Sequence, residues 1–127
     1  QTGNWMPEAI ITGISLGCLS AILISINNLR DIDEDRSNNK NTLAVKWGRQ
    51  RALNLLVLMG IAPYLAVGPV FGYHLALLYF LPALLLGVII VRKVSQTPPG
   101  VVYNKFLALS ALQLILYAAA IHLIVSL

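Results

Sequence analysis

Acidic residues are scarce in this chain, and four of the five lie within five positions. The cluster consists of Asp31, Asp33, Glu34 and Asp35, and it follows a long charge-free stretch with only Arg30 between. Carboxylates four positions apart on a helix lie about 6 Å apart and repel each other by roughly 3 kcal/mol at an effective dielectric near 20. The cluster therefore indicates that a cation binds here.

Helical periodicity places most of this cluster on one side of a helix. If the preceding helix continues at about 100° per residue, five oxygen-bearing side chains share an arc of about 120°. These side chains belong to Asn27, Asn28, Asp31, Glu34 and Asp35. Asp33 would point in roughly the opposite direction. Carboxylate and amide oxygens are hard ligands that suit Mg²⁺, which usually fills its other positions with water and phosphate oxygens.

Basic residues follow the acids at once and could hold the far side of a phosphorylated ligand. They are Arg36, Lys40, Lys46 and Arg49. Acids beside basic residues are also typical of a solvated surface whose charges neutralise each other. The residues alone leave both interpretations open.

Charge-free stretches make up most of the remaining chain. Of its 127 residues, 57% are hydrophobic and 11% are charged, whereas a soluble domain contains about 25% charged residues. The stretches 9–29, 52–91 and 106–127 carry no charge, and a helix needs about 20 apolar residues to cross a bilayer. The segment 67–72, which contains two glycines and a proline, is expected to break the longest stretch in two. The sequence therefore predicts an all-α integral membrane protein with four transmembrane helices.

We place the four spans near residues 7–26, 51–66, 73–91 and 104–126. All nine basic residues then lie on one side of the membrane, which the positive-inside rule identifies as cytoplasmic. The prediction is a protein of the cell (inner) membrane whose polar loop, residues 27–50, is cytoplasmic and whose two ends lie outside. No soluble basic surface remains for nucleic acid.

Finer features lead to three more expectations. The first span should extend as a helix from Asn27 to Asp35, and a short helix should lie within 42–49. We interpret Asn104 and Lys105 as a cap of the fourth helix in preference to contacts with the acidic site. Gln113 lies near mid-span and must find a partner or a cavity.

The segment from Asn27 to Gly48 reads NNLRDIDEDRSNNKNTLAVKWG. It resembles the second aspartate-rich motif of the UbiA-type membrane prenyltransferases. The paired asparagines before RDI and the K-x-TLAV that follows are similar to the 1,4-dihydroxy-2-naphthoate polyprenyltransferases of menaquinone or phylloquinone synthesis. The resemblance implies that residues 1–127 are the C-terminal part of one prenyltransferase domain, with about the last four of its nine helices.

The resemblance also implies roles for single residues. Asp31 and Asp35 match the aspartates of the D-x-x-x-D pattern, which bind catalytic Mg²⁺. Contacts with the diphosphate are implied for Asn27, Asn28, Arg36 and Lys40.

The implied reaction ionises a polyprenyl diphosphate and joins the allylic carbocation to the ring of 1,4-dihydroxy-2-naphthoate, with loss of CO₂. The first aspartate-rich motif of the family, N-D-x-x-D, is absent from the sequence, so the chain holds half of a site. The chain begins at Gln1, without an initiator methionine. We therefore expect its partners to include missing N-terminal helices of the same enzyme as well as the lipid bilayer.

Two alternatives remain. The acceptor could be another aromatic compound, such as homogentisate or 4-hydroxybenzoate. The chain could also be a small non-enzymatic membrane protein with a cytoplasmic cation site. A cation carrier should place acids at mid-membrane, whereas every acid here except Glu8 lies at the inner mouth.

Overall fold

The computed structural model describes residues 7–126, and all regular structure in that range is helical. Six helices follow one another along the chain. They are α1 (Pro7–Arg30), α2 (Ile32–Ser37), α3 (Leu43–Trp47), α4 (Arg49–Phe71), α5 (Tyr73–Gln96) and α6 (Tyr103–Val125).

Four of these helices, α1, α4, α5 and α6, are long and apolar enough to cross a membrane. Each has 23 or 24 residues and a mean hydropathy of at least 1.8 in its most apolar part, and a helix of 20 residues already spans about 30 Å. The prediction of an all-α protein with four transmembrane helices is confirmed.

The turn between α4 and α5 is tighter than the sequence predicts. The break expected over 67–72 is confined to Gly72, because residues up to Phe71 remain helical in spite of Pro69. Gly72 has a φ of +84°, a conformation that costs glycine little. The ring of Tyr73 then packs against Gly68, where a Cβ atom would collide with it. A single residue therefore reverses the chain.

The four long helices form a closed ring. α1 packs against α4 and α6, and α5 packs against the same two helices. Two contacts at the end of the bundle that carries the polar loop show that neighbours run antiparallel, because the end of α1 meets the start of α6 and the start of α4 meets the end of α5. The described ends of the chain, Pro7 and Ser126, therefore lie at the opposite end of the bundle from Asp31.

The centre of the bundle combines aromatic rings with a few polar groups. Tyr64, Phe80 and Tyr117 form a cluster with ring centroids 4.6–6.5 Å apart. The amide of Gln113 donates to the hydroxyl of Tyr64 at 3.1 Å, so its expected need for a partner is confirmed. Gly87 leaves the space that the Gln113 side chain fills.

The junction after α1 is nearly as expected. The helix continues through Asn27 to Arg30 and resumes at Ile32. Asp31 interrupts it with φ −99° and ψ 12°, a sparsely populated backbone conformation. The backbone bonds Asp31 N–H to Asn27 C=O and Asp35 N–H to Asp31 C=O have the spacing of helical bonds, so helical hydrogen bonding continues across the interruption.

The short helix expected within 42–49 is α3. It begins after Thr42, whose hydroxyl caps it by accepting from the backbone N–H of Val45 at 3.4 Å. α3 packs against α1, α2 and α4 and returns the polar loop to the bundle.

Candidate functional site

The two aspartates of the D-x-x-x-D pattern lie on either side of the first turn of α2. Both oxygens of Asp31 accept hydrogen bonds from Arg30, Oδ1 from Nε at 2.7 Å and Oδ2 from Nη2 at 2.7 Å. The remaining guanidinium nitrogen, Nη1, donates to Oδ1 of Asn104 at 2.7 Å. Arg30 therefore joins the candidate metal ligand to the first turn of α6.

Asp35 is the more deeply placed of the two, since its side chain is 7% exposed and that of Asp31 is 26% exposed. Its Oδ1 accepts from Nζ of Lys40 at 3.0 Å. Asn39 makes this contact possible, because its φ of +55° turns the chain back after α2. Asparagine adopts this left-handed conformation more readily than most residues. The backbone N–H of Lys40 then donates to the carbonyl of Asp35 at 2.8 Å.

Asp33 lies on the outside of α2 with 80% of its side chain exposed. This exposure agrees with the predicted helix phase, in which Asp33 points away from Asp31 and Asp35. Arg36 lies on the same exposed side, with Nη1 3.4 Å from Oδ1 of Asp33. The structure therefore brings Lys40, and not Arg36, to one of the two inward-facing carboxylates.

The other members of the predicted arc are less enclosed. Asn27 and Glu34 are exposed. Asn28 is half-buried and lies in a small recess with Leu43 and Ala44 of α3. The diphosphate contacts implied for Asn27, Asn28 and Arg36 remain predictions.

Electrostatics favour the charged forms of Asp31 and Lys40. The hydrogen bonds from Arg30 lower the pKa of the Asp31 carboxyl below its usual value, against a smaller opposing effect of burial. The hydrogen bond to Asp35 raises the pKa of the Lys40 ammonium. Asp31 is thus in the ionised form that a metal ligand requires.

The available side chains fit a metal ion coordinated partly by a phosphorylated ligand, and not one coordinated by protein side chains alone. Within residues 7–126, no group of three or more His, Cys, Asp or Glu side chains converges to hold a metal. Mg²⁺ commonly uses one or two carboxylates and completes its coordination with water and substrate phosphates. Asp31 and Asp35 could supply the two carboxylates, so the residues present fit Mg²⁺ held jointly with a phosphorylated ligand.

Arg49 has structural contacts that the sequence does not reveal. Nη2 of Arg49 donates to the carbonyls of Val94 at 3.0 Å and Thr97 at 2.7 Å, and it lies 3.2 Å from the hydroxyl of Tyr103. Arg49, one of the basic residues considered for a phosphorylated ligand, therefore fastens α4 to the turn between α5 and α6. The sequence offers one signal for this role of Arg49, the prolines and glycine of the turn. A turn of this kind leaves backbone carbonyls free to accept from a donor such as Arg49.

The prediction that Asn104 caps α6 is wrong. The residue before the helix is Val102, no side chain caps this end, and Asn104 is the second residue of α6. Its side chain accepts from Arg30 because the ends of α1 and α6 meet there. The prediction failed because it considered only local geometry.

Comparison with known proteins identifies the class of membrane protein. The sequence model of the UbiA prenyltransferase family matches residues 1–108. The chain therefore belongs to the UbiA prenyltransferase family, as its aspartate-rich segment predicts.

Two named relatives are bacterial. The chain is 38% identical over 76 residues to a 1,4-dihydroxy-2-naphthoate octaprenyltransferase of Escherichia coli, a match that covers 58% of this chain and 25% of that protein. It is 44% identical over 48 residues to a protein of the same name from Haemophilus influenzae, covering 38% of this chain and 16% of that protein. The chain thus spans a quarter or less of the length of these relatives. No solved structure matches the chain significantly.

Proposed function

We propose that this chain carries half of the active site of a Mg²⁺-dependent aromatic prenyltransferase. The enzyme transfers a polyprenyl group from an allylic polyprenyl diphosphate to 1,4-dihydroxy-2-naphthoate and releases CO₂ and diphosphate, in menaquinone or phylloquinone synthesis. Membership of the UbiA family and the names of the two bacterial relatives support this assignment. The site lies in a loop on the cytoplasmic side of the cell membrane.

The observation that carries the proposal is the placement of Asp31 and Asp35. Both carboxylates are withdrawn from full solvent exposure, and each is already paired with a cationic side chain. Asp33, between them in sequence, is almost fully exposed. A surface whose only role was solubility would have no reason to distinguish the three aspartates in this way.

Each residue has a role in diphosphate departure. Asp31 and Asp35 would hold Mg²⁺, which when bound offsets the negative charge that grows on the leaving diphosphate. Lys40 lies close enough to Asp35 to donate to a phosphate oxygen at the same site. Asn27, Asn28 and Arg36 complete the proposed diphosphate contacts. Ionisation breaks the allylic C–O bond, and the acceptor ring then forms a bond to the carbocation and loses its carboxylate as CO₂.

The rest of the site belongs to partner segments. We propose that a second acidic helix, and the helices that keep water from the carbocation, come from N-terminal spans of the same enzyme. The greater length of the two relatives supports this arrangement.

The test is prenyl transfer in isolated membranes supplied with Mg²⁺, a radiolabelled polyprenyl diphosphate and 1,4-dihydroxy-2-naphthoate. Membranes from cells that express the whole reading frame containing this chain should form labelled product and release CO₂. Membranes from cells that express residues 1–127 alone should not. Transfer to homogentisate or 4-hydroxybenzoate instead would show that the acceptor is wrong. Turnover by residues 1–127 alone would overturn the half-site account. If membranes show no transfer to any acceptor, with or without Mg²⁺, a non-enzymatic protein would be favoured.

A further inference from the structure

Both candidate metal ligands are already neutralised by cations of the same chain. Both carboxylate oxygens of Asp31 accept hydrogen bonds from Arg30, and one oxygen of Asp35 accepts from Lys40. Two carboxylates and two cations give these four side chains a net charge of zero. A metal ion at these carboxylates must compete with Arg30 for both oxygens of Asp31 and with Lys40 for Oδ1 of Asp35.

The two cations can move without disrupting the fold. Lys40 follows the last turn of α2 and has 59% of its side chain exposed. Arg30 keeps a second contact, through Nη1 to Asn104, that does not depend on Asp31. The guanidinium can therefore turn its other two donor nitrogens toward a new acceptor while its position at the start of α6 is retained.

From this arrangement we infer that Arg30 and Lys40 exchange partners when substrate binds: they leave Asp31 and Asp35 and bind the oxygens of the diphosphate, while the carboxylates turn to the metal. This inference rests on the proposed function. It adds Arg30 as a diphosphate-binding residue whose partner changes when the metal binds.

The charges of the four side chains make the two binding events depend on each other. A divalent cation bound alone would lie beside two released cations, which repel it. A diphosphate bound alone would draw both cations away and lie beside two bare carboxylates, which also repel it. When both bind, every carboxylate faces a metal and every cation faces a phosphate oxygen. Each ligand should therefore raise the affinity for the other, typically by between about 5- and 150-fold.

The exchange predicts that removing either cation changes the affinities for metal and for diphosphate in opposite directions. Arg30→Gln and Lys40→Gln should each bind a metal more tightly, by about two- to fivefold, because a competing charge at a partly exposed pair is gone. The same variants should bind diphosphate more weakly, by roughly tenfold, because charge-assisted hydrogen bonds are lost. A residue that only holds the carboxylates in place would weaken metal binding when removed.

The experiment uses the full chain, expressed from its whole reading frame and reconstituted in lipid nanodiscs. Binding of Mn²⁺, which takes the same hard oxygen ligands as Mg²⁺, is followed by electron paramagnetic resonance without diphosphate. Binding of labelled pyrophosphate is followed by equilibrium dialysis with EDTA and with saturating Mn²⁺. Signal that persists in the Asp31→Asn/Asp35→Asn double variant is subtracted, so that only this site is measured.

Lys93→Gln is the matched control, because it removes one positive charge near the same end of the bundle and lies outside the four-residue cluster. It should leave both affinities within about twofold of the parent. Arg30→Lys keeps the charge and loses the two-pronged contact, so it tests the pairing geometry even if Arg30→Gln does not fold. It should bind Mn²⁺ more tightly than the parent and retain part of the pyrophosphate affinity.

Tighter Mn²⁺ binding together with weaker pyrophosphate binding would support the exchange. Weaker Mn²⁺ binding in Arg30→Lys and Lys40→Gln would overturn it and leave the metal site itself standing. If Mn²⁺ binding does not change in the Asp31→Asn/Asp35→Asn variant, the proposed metal site is wrong and the exchange fails with it.

Discussion

Polar side chains are held at low exposure in two regions of the molecule, and the two regions satisfy them differently. At mid-bundle, the Gln113 amide bonds to Tyr64 and the Tyr117 hydroxyl bonds to the Pro63 carbonyl. Both bonds join neutral groups on α6 to neutral groups on α4. Water does not reach the bilayer interior to replace such partners, so these bonds persist in the folded bundle.

At the α1–α2 junction the partners are charged and lie within reach of solvent. Asp31 and Asp35 are paired with Arg30 and Lys40, whose side chains are 28% and 59% exposed. Exposed ion pairs add little to stability, and a metal ion or a phosphate can replace either partner. The difference indicates that the neutral bonds belong to the permanent structure of the bundle and that the charged pairs, whose cations solvent can reach, are available for binding.

The largest expected effect comes from the two inward-facing aspartates. Asp31→Ala or Asp35→Ala, in protein expressed from the whole reading frame, should lower prenyl transfer by on the order of a hundredfold or more, because charge stabilisation of the leaving group is lost. Asp33→Ala is the matched control and should cost much less, since its carboxylate faces solvent. Equal losses of prenyl transfer in the Asp33→Ala and Asp31→Ala variants would contradict the assignment of the functional aspartates to one face of α2.

A core substitution should act on stability instead. Gly87→Ala should destabilise the bundle by about 2 kcal/mol, because the added Cβ collides with the Gln113 amide in a packed interior. Gly17→Ala is the control, as a Cβ there meets nothing within 4 Å. Unfolding in mixed detergent micelles measures both, and similar stabilities for the two variants would argue against this packing.

Arg49 tests whether a cation near the polar loop can be purely structural. Arg49→Met should destabilise the protein by about 1.5 kcal/mol, because its charged hydrogen bonds to the turn between α5 and α6 are lost. Mn²⁺ affinity should stay unchanged, in contrast to Arg30→Gln. The exposed Arg51 provides the control, and Arg51→Met should change stability by less than about 0.5 kcal/mol. A changed metal affinity in Arg49→Met would place Arg49 with the binding residues.

The smallest expected effect is the loss of one neutral bond. Tyr117→Phe should cost about 0.6 kcal/mol, the average for a hydrogen bond between membrane helices, because the ring keeps its packing against Tyr64 and Phe80. Prenyl transfer should be unaffected under conditions where the variant is folded. A loss of transfer with unchanged unfolding would move this residue from the structural region to the functional one.

Local pattern was enough to predict the four membrane helices, the short helix α3 and the outward direction of Asp33. Each depends on hydropathy or on the helical repeat, which act over a few neighbouring residues. The same reasoning failed where helices end. It expected a break over 67–72, but only Gly72 leaves the helix, because adjacent packing keeps residues on both sides of Pro69 helical.

The pairing of distant side chains was decided by the tertiary structure alone. Arg30 meets Asn104 across 74 residues of chain, Arg49 meets Tyr103 across 54, and Gln113 meets Tyr64 across 49. The sequence determined that these residues are polar and approximately how deep in the membrane each lies. Which of them meet depends on how each helix is rotated about its axis and on which helices are neighbours in the ring. Helix rotation and neighbour choice result from the packing of the whole bundle, so no local pattern specifies them.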